Sequence, residues 1–512
     1  MVSRLSAAPW WQRAVVYQIY PRSFADSSGD GVGDLRGIRD RLDHLAWLGV
    51  DAVWLSPVFR SPMADFGYDV SDYCDVDPLF GTLADLDALV ADAHAHGIRL
   101  LLDWVPNHTS DRHPWFVESR RSRADPRRDW YVWRDPAPGG GAPNNWTAAF
   151  RTGAPAWTLD PATGQHYLHL FLPQQPDLNW ANPAVESAMH GVLRFWLDRG
   201  IDGFRVDVVH ALGKNPALPD DPADLAALPH SSLHDDPATH PILRRLRRLV
   251  DAYPGDRVLV GEVFQLFQRD VTRFYGKHDE LHLAFDLPRT LHTPWEADAW
   301  RVRAEEVEAS HGVAGAWPTI VLSNHDTPRQ RSRLGSEARA RSAAVLELTL
   351  PGTPFLYAGE ELGLEDADVP PERRVDPGGR DGCRAPIPWE AAPGHGWPAA
   401  PWLPWAPDPS GRSVAAERRD PGSILHLYRR LLAARRRSPA LQLGRLRSLP
   451  TPPGVFAWER VADADRRRIA VNFTSATLDW AAGGVVEVAT DRHLEGRAFD
   501  GRLPPDAAVV IA

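Results

Sequence analysis

Four short segments place ionisable side chains where they could act together. In GFRVDVVH, Arg205 and Asp207 stand two apart in an apolar run, which on a strand points both to one side. A guanidinium beside a carboxylate favours the ionised acid and fixes its orientation, as a carboxylate nucleophile requires. Glu262 closes the next run, RVLVGEVF, and His325 and Asp326 close a later one, TIVLSNHD. DWVPNH adds Asp103, Asn107 and His108. Three acids meeting at one place need a cation-like partner or roles as acid and base. Cleavage of a glycosidic bond offers both, an oxocarbenium-like transition state and a leaving oxygen that must be protonated. Each segment alone reads equally well as an ion pair at a strand end. Together and in this order they favour chemistry.

Such a set needs strands that end together. Apolar runs recur at 15–25, 51–59, 98–108, 201–209, 257–264, 281–287, 319–326 and 354–362, with helical patterns between them. Continuous apolar strands alternating with helices imply a parallel sheet buried on both faces. Eight of them predict an α/β fold, a (β/α)8 TIM barrel that collects its site at the strand C-termini. The helical patterns are clearest at 82–97 and 186–200, ending at Gly97 and Gly200, and at 424–438. Residues 105–177 are too long for a plain connection and contain PAPGGGAPNNW, which predicts a small domain inserted after strand 3. Residues 210–240, rich in Pro and Asp, read as a lid-like loop. From 439 to 512 apolar and polar residues alternate, which predicts a C-terminal antiparallel β domain. The barrel is thereby assigned to 1–104 and 178–438.

Composition narrows the function. With 57 Lys+Arg against 67 Asp+Glu the net charge is −10, which argues against nucleic acid as a partner. No apolar run of about 18 residues is present, so no membrane span is expected. The start, MVSRLSAAPWWQRAVVYQIY, lacks a secretory pattern. Two cysteines, Cys74 and Cys383, exclude a disulfide framework and fit a cytoplasmic setting. Only two lysines, Lys214 and Lys277, leave little scope for lysine-dependent chemistry. The 21 tryptophans offer flat faces for sugar rings, although tryptophan is more often core. The Arg-rich stretches 244–250 and 429–437 read as solvated helix faces.

DWVPNHTS, GFRVDVVH, GEVF and SNHD, in this order, resemble the four conserved regions of the α-amylase superfamily, glycoside hydrolase family 13. QPDLNW (175–180) resembles an extra region of its oligo-1,6-glucosidase and α-glucosidase branch, and the likeness runs the whole length of the chain. The resemblance implies Asp207 as nucleophile, Glu262 as general acid/base and Asp326 as third acid, acting with retention through a covalent glucosyl intermediate. It implies that His108 and His325 bind hydroxyls of the −1 glucose, and that Asp65 and Tyr68 of DFGYD hold the non-reducing sugar. Arg384, in GCRAPIPW, would grip that sugar together with Asp65, while Phe171 and Gln175 would line the pocket. A pocket closed beyond −1 implies exo-action on short oligosaccharides or disaccharides. DSSGDGVGD resembles the branch's calcium loop, with Asp26, Ser28, Asp30, the Val32 carbonyl and Asp34 as ligands of a structural Ca²⁺. No cofactor is implied for catalysis, because the carboxylates suffice.

Linkage is read from two cues that conflict. Val208, after the nucleophile, goes with α-1,6 specificity in some members of the branch. DPGGRDGCRAPIPW and DVVHALGK instead resemble actinobacterial α-glucosidases, which favour maltose-type α-1,4 substrates. The expectation is α-1,4, with α-1,6 or sucrose as further substrates. A transglucosylase or sucrose isomerase would use the same intermediate. Inactive transporter partners of this fold carry a membrane helix and lack the acids, unlike this chain. Nothing in the sequence speaks to the oligomeric state.

Overall fold

The structure, a computed structural model, describes residues 8–512 apart from 151–152, 224–232, 234–235 and 264–270. Eight strands build its centre: β1 (Val16–Ile19), β2 (Ala52–Leu55), β3 (Arg99–Trp104), β4 (Gly203–Val206), β5 (Val258–Glu262), β6 (Leu283–Phe285), β7 (Thr319–Val321) and β8 (Thr353–Tyr357). They run in the order β6-β5-β4-β3-β2-β1-β8-β7, and every paired neighbour is parallel. Between the two end strands, Thr319 Oγ1 donates to the Ala284 carbonyl at 2.9 Å, bringing the sheet round into the predicted barrel.

The strands carry one period-two pattern with a change of polarity along it. Val16, Ala52, Trp54, Leu101, Val258, Val260, Leu283, Phe285, Val321 and Phe355 fill the inside. Two residues further along the same faces come Gln18, Asp103 and Glu262, while Arg205 and Asp207 hold that position on β4. The apolar layer closes the barrel floor and the polar one surrounds its upper mouth. Gly203 permits the close approach of β4 to β5, since a Cβ there would stand 2.3 Å from the Val258 carbonyl oxygen.

Helices cover the outer face. Helix α1 (Leu83–Ala95) begins in a capping box of Thr82 and Asp85. Helix α2 (Pro183–Asp198) begins earlier than its apolar pattern, because Asn182 caps it and Pro183 occupies the first turn. Helix α3 (Ile424–Arg437) is capped by Ser423 and buries Leu427, Leu431 and Leu432. Among the described residues no helix is long and apolar enough to cross a membrane.

The segment between β3 and α2 contains a three-stranded antiparallel sheet of Trp133–Arg134, Gln165–Leu168 and Trp157–Asp160. Its apolar side joins Val208, Ala211 and Leu218 in one cluster with Trp146, Trp157 and Leu168. The stretch after β4 is docked to this sheet, with Trp146 Nε1 donating to the Pro219 carbonyl (2.9 Å) and Asn144 Nδ2 to that of Leu218 (3.0 Å). Much of the loop expected over 210–240 lies outside the described residues. At the C-terminus, β9 (Arg445–Ser448), β10 (Val455–Ala462), β11 (Asp465–Asn472), β12 (Val486–Ala489) and β13 (Ala508–Ile511) form an antiparallel sheet in the order β9-β10-β11-β13-β12. It is tied to the barrel by Ser342 Oγ, which donates to the Asp506 carbonyl at 2.6 Å.

Candidate active site

Three acids surround one cation at the mouth. The parallel register sets Arg205 opposite Asp103 on β3 and Val260 on β5. Arg205 NH1 reaches Asp207 at 2.5 Å and Asp103 at 2.8 Å, and NH2 reaches Glu262 at 2.6 Å. Glu262 also accepts from the backbone N–H of Val208 at 3.2 Å. Asp103 and Asp207 are buried, whereas the Glu262 side chain is 23% exposed. Burial pushes Asp207 well above the usual carboxylate range; Arg205 opposes this, and Glu262 and Asp103 add to it. Burial likewise pushes Asp103 up to about 6 against the pull of Arg205. The sequence paired Arg205 with Asp207 alone, so the expected outcome was a fully ionised acid. The structure has the guanidinium serve three carboxylates, a group of net charge −2 when all are ionised, and the mutual repulsion adds to burial in raising Asp207 and Asp103.

His325 and Asp326 follow β7 on the opposite rim. Gln18 Nε2 contacts His325 Nδ1 at 2.7 Å, and the Tyr68 hydroxyl contacts Nε2 at 2.5 Å while donating to Asp103 at 3.1 Å. The Tyr68 and His325 rings stack, 5.6 Å apart at 9°. Burial takes His325 down to about 3, so the ring is neutral. For Asp326, burial favours the neutral form, but His325, Arg380 and Arg384 outweigh it and hold the carboxyl well below the usual range. With His325 neutral, the two arginines supply that positive charge.

Those arginines differ from expectation. Asp65, expected to grip the terminal sugar together with Arg384, pairs with Arg380 NH2 at 2.7 Å, and Arg380 NH1 continues to Asp326 at 2.9 Å. Arg384 is fully buried, held by Asp376 (2.9 Å), the His325 carbonyl (2.8 Å) and the far side of the same Asp326 oxygen (3.3 Å). The two lie four residues apart around a short 3-10 turn, Asp381–Arg384, and only the packing of that turn decides which one faces Asp65. Gln175 Nε2 donates to Asp65 at 3.0 Å and touches His108 Nε2 at 3.1 Å. Phe171 lies against His108, ring centres 5.2 Å apart, and against Phe150, over which the Arg380 guanidinium sits at 4.7 Å. Asp65, Tyr68, His108, Phe171, Gln175, Arg205, His325, Arg384, Asp207, Glu262 and Asp326 are thus linked through one contact network. Sequence reasoning missed Arg380, Gln18 and Trp54, whose Nε1 donates to Asp103 at 3.2 Å. For Gln18 and Trp54 the signal was strand parity.

Two further places bear on the site. Val208 is left-handed at φ +43°, a strained state for a β-branched residue. It ends β4 sharply after Asp207 and turns the Val208 side chain into the inserted sheet's apolar cluster. In the 26–34 loop, Asp26 accepts from the N–H groups of Ser28 (2.9 Å), Gly29 (2.7 Å) and Gly31 (2.9 Å). Asp34 accepts from Ser27 (2.8 Å), Ser28 (3.2 Å) and Gly37 (2.7 Å), capping a helical turn. Asp30 turns to the Val32 N–H at 2.8 Å. Among the described residues no three His, Cys, Asp or Glu side chains converge as a metal site. Backbone N–H groups take these carboxylates, Asp26 and Asp34 both facing the Ser28 N–H, and the expected structural calcium is not shown.

The alpha-amylase catalytic-domain family matches residues 18–444. The chain is 44% identical over 485 residues to a probable alpha-glucosidase of Rhizobium meliloti, covering 88% of this chain and 87% of that protein. It is 37% identical over 521 residues to an oligo-1,6-glucosidase of Parageobacillus thermoglucosidasius, covering 91% of each. Among solved structures, an alpha-glucosyl transfer enzyme, XgtA, superposes with a TM-score of 0.90 at 40% identity, covering 99% of this chain and 100% of that one. With its barrel, its acids at the strand ends and these relatives, the chain belongs to the α-amylase family of glycoside hydrolases.

Proposed function

We propose that the chain is a retaining, exo-acting α-glucosidase that releases α-D-glucose from the non-reducing end of short α-glucosides, maltose-type α-1,4 substrates being favoured. One observation carries this reading: the two arms of a single guanidinium hold Asp207 and Glu262 at 2.5 and 2.6 Å. That fork gathers the two carboxyls at one guanidinium, which supports the close placement, about 5–5.5 Å, that retaining chemistry requires. Asp207 attacks the anomeric carbon. Glu262, the most exposed of the three acids around Arg205, gives a proton to the leaving oxygen and then takes one from the incoming water. Asp326, kept ionised by its arginines, and His108 and His325 bind the hydroxyls of the −1 glucose. The Asp65–Arg380–Asp326 bridge walls off the pocket beyond that sugar, which supports exo-action. Proton NMR of maltose hydrolysis tests the scheme: α-glucose must appear first from the non-reducing residue, and β-glucose first would overturn it.

A second reading, transglucosylation through the same intermediate, is favoured by the likeness to the alpha-glucosyl transfer enzyme. Product analysis at high maltose concentration separates the two, since transfer gives one trisaccharide for each glucose expelled, whereas hydrolysis gives two glucose per maltose and no trisaccharide.

A further inference from the structure

We propose that Lys214 is a positioning residue, whose ammonium clamps the inserted segment onto the barrel ends that carry Asp207 and His108. The proposal rests on the glucosidase reading and adds a residue to its machinery.

Lys214 lies seven residues after Asp207, and its side chain is only 7% exposed. An ammonium has three donors and no acceptor. All three are used here, on acceptors from three different segments. Nζ reaches Asn107 Oδ1 at 2.9 Å, the Ala211 carbonyl at 2.8 Å and Asp177 Oδ2 at 3.1 Å. Asn107 follows β3 and directly precedes His108. Ala211 ends the turn that leaves Asp207. Asp177 lies where the inserted segment returns to the barrel, paired across an isolated bridge with His108.

The acceptors are themselves fixed. Asp177 is fully buried, and its other oxygen accepts from the Leu170 N–H at 2.9 Å. With its Oδ1 taken by the ammonium, Asn107 turns its Nδ2 to Asp177 at 3.1 Å and toward His108 Nδ1 at 3.2 Å. A neutral side chain at 214 would leave the Asp177 carboxylate buried without its cation. Buried charges are held only when paired, so one of the three segments would have to move. His108 is the substrate-side end of this chain of contacts. It also meets Gln175 Nε2, the Phe171 ring and the Tyr68 backbone carbonyl. Burial takes His108 down to about 4; Asp177 and the Tyr68 carbonyl raise it and Lys214 lowers it.

Two variants test the clamp. Lys214→Met removes the charge and keeps the length. Lys214→Met combined with Asp177→Asn removes the stranded carboxylate as well. Hydrogen exchange read by mass spectrometry should show at least tenfold faster exchange in 105–110 and 168–178 for Lys214→Met, reversed in part by the second change. In the same variant the acid limb of kcat/KM on an aryl α-glucoside should move to higher pH, because His108 loses a neighbouring positive charge. A residue that merely supported the fold would lower the folded fraction and leave that limb in place. Unchanged exchange in both segments, or an unmoved limb, overturns the proposal. Exchange needs no substrate, so a wild-type protein inactive on every glucoside would count against the glucosidase reading while exchange still judges the clamp.

Discussion

Arg380→Met separates the arginine that bridges Asp65 and Asp326 from the one read in the sequence. In the structure Arg380 joins Asp65 at 2.7 Å and Asp326 at 2.9 Å, with the Asp65 and Arg380 side chains 4% and 11% exposed. Removing one partner of a buried pair costs about 3–5 kcal/mol. Asp65 keeps Gln175 at 3.0 Å and Asp326 keeps Arg384 at 3.3 Å, so the low end, about 3 kcal/mol of stability, is expected. Catalysis loses one charge-assisted hydrogen bond to the sugar, about 1.5–3 kcal/mol, which is roughly a 10- to 200-fold drop in kcat/KM. The pH dependence has a definite sign. Burial pushes Asp65 up, and Arg380 and Arg384 pull it down. Without Arg380 its folded pKa rises further above the unfolded value. Stability from a raised carboxyl is full below the unfolded pKa and lost as pH rises through the folded one. The Tm gap between variant and wild type should therefore be widest near neutrality and narrow as pH falls toward 4, measured by calorimetry alongside kcat/KM on maltose. A kcat/KM within twofold of wild type, or a gap that widens in acid, would refute the reasoning.

Other outcomes follow from the same geometry. Asp207→Asn should lower turnover by at least about 10⁴-fold, since no glucosyl ester can form, and a rapid-quench burst should be absent. Glu262→Gln should slow maltose far more than a nitrophenyl glucoside, whose leaving group needs little protonation; equal losses would disqualify Glu262 as the acid. Glu347 and Glu360 are buried against each other, and among the described residues the Oε2 atom of each has no other hydrogen-bond partner. Burial and Glu360 push Glu347 well up, so wild-type stability declines as pH rises through that value. Glu347→Gln supplies a permanent N–H donor, and its Tm should fall less than that of wild type between pH 7 and pH 10; parallel declines would count against a raised Glu347.

The parts that strand periodicity governs could be read from the residues. Eight apolar runs gave the barrel, and the polar residues that end them, Asp103, Asp207, Glu262, His325 and Asp326, are brought together at its mouth because parallel strands of one barrel end on one side. Gln18 was equally readable, two residues beyond Val16 on the same face, but without a charge it drew no notice. Arg380 was not readable. It lies in a segment of bends and short 3-10 turns, where no period relates position to direction, so the choice between Arg380 and Arg384 belongs to tertiary packing. Val208 is a similar case, because its left-handed backbone opposes the preference of its own side chain and is imposed by the strand's end and the inserted sheet.

The larger difference concerns charge rather than position. Along the chain Arg205 has one acidic neighbour at strand spacing, and an ion pair is the natural conclusion. Asp103 joins them only because β3 pairs with β4 in a register that aligns it with Arg205, and Glu262 only because β5 lies on the other side. Register thus turns a neutral pair into a cluster of three acids and one base. Burial and mutual repulsion raise the carboxyls of such a cluster, as at Asp207 and Asp103, whereas in the pair alone the guanidinium would face no competing acid. The affinity of this mouth for protons is therefore set by the order of strands around the barrel, a property that no single motif contains.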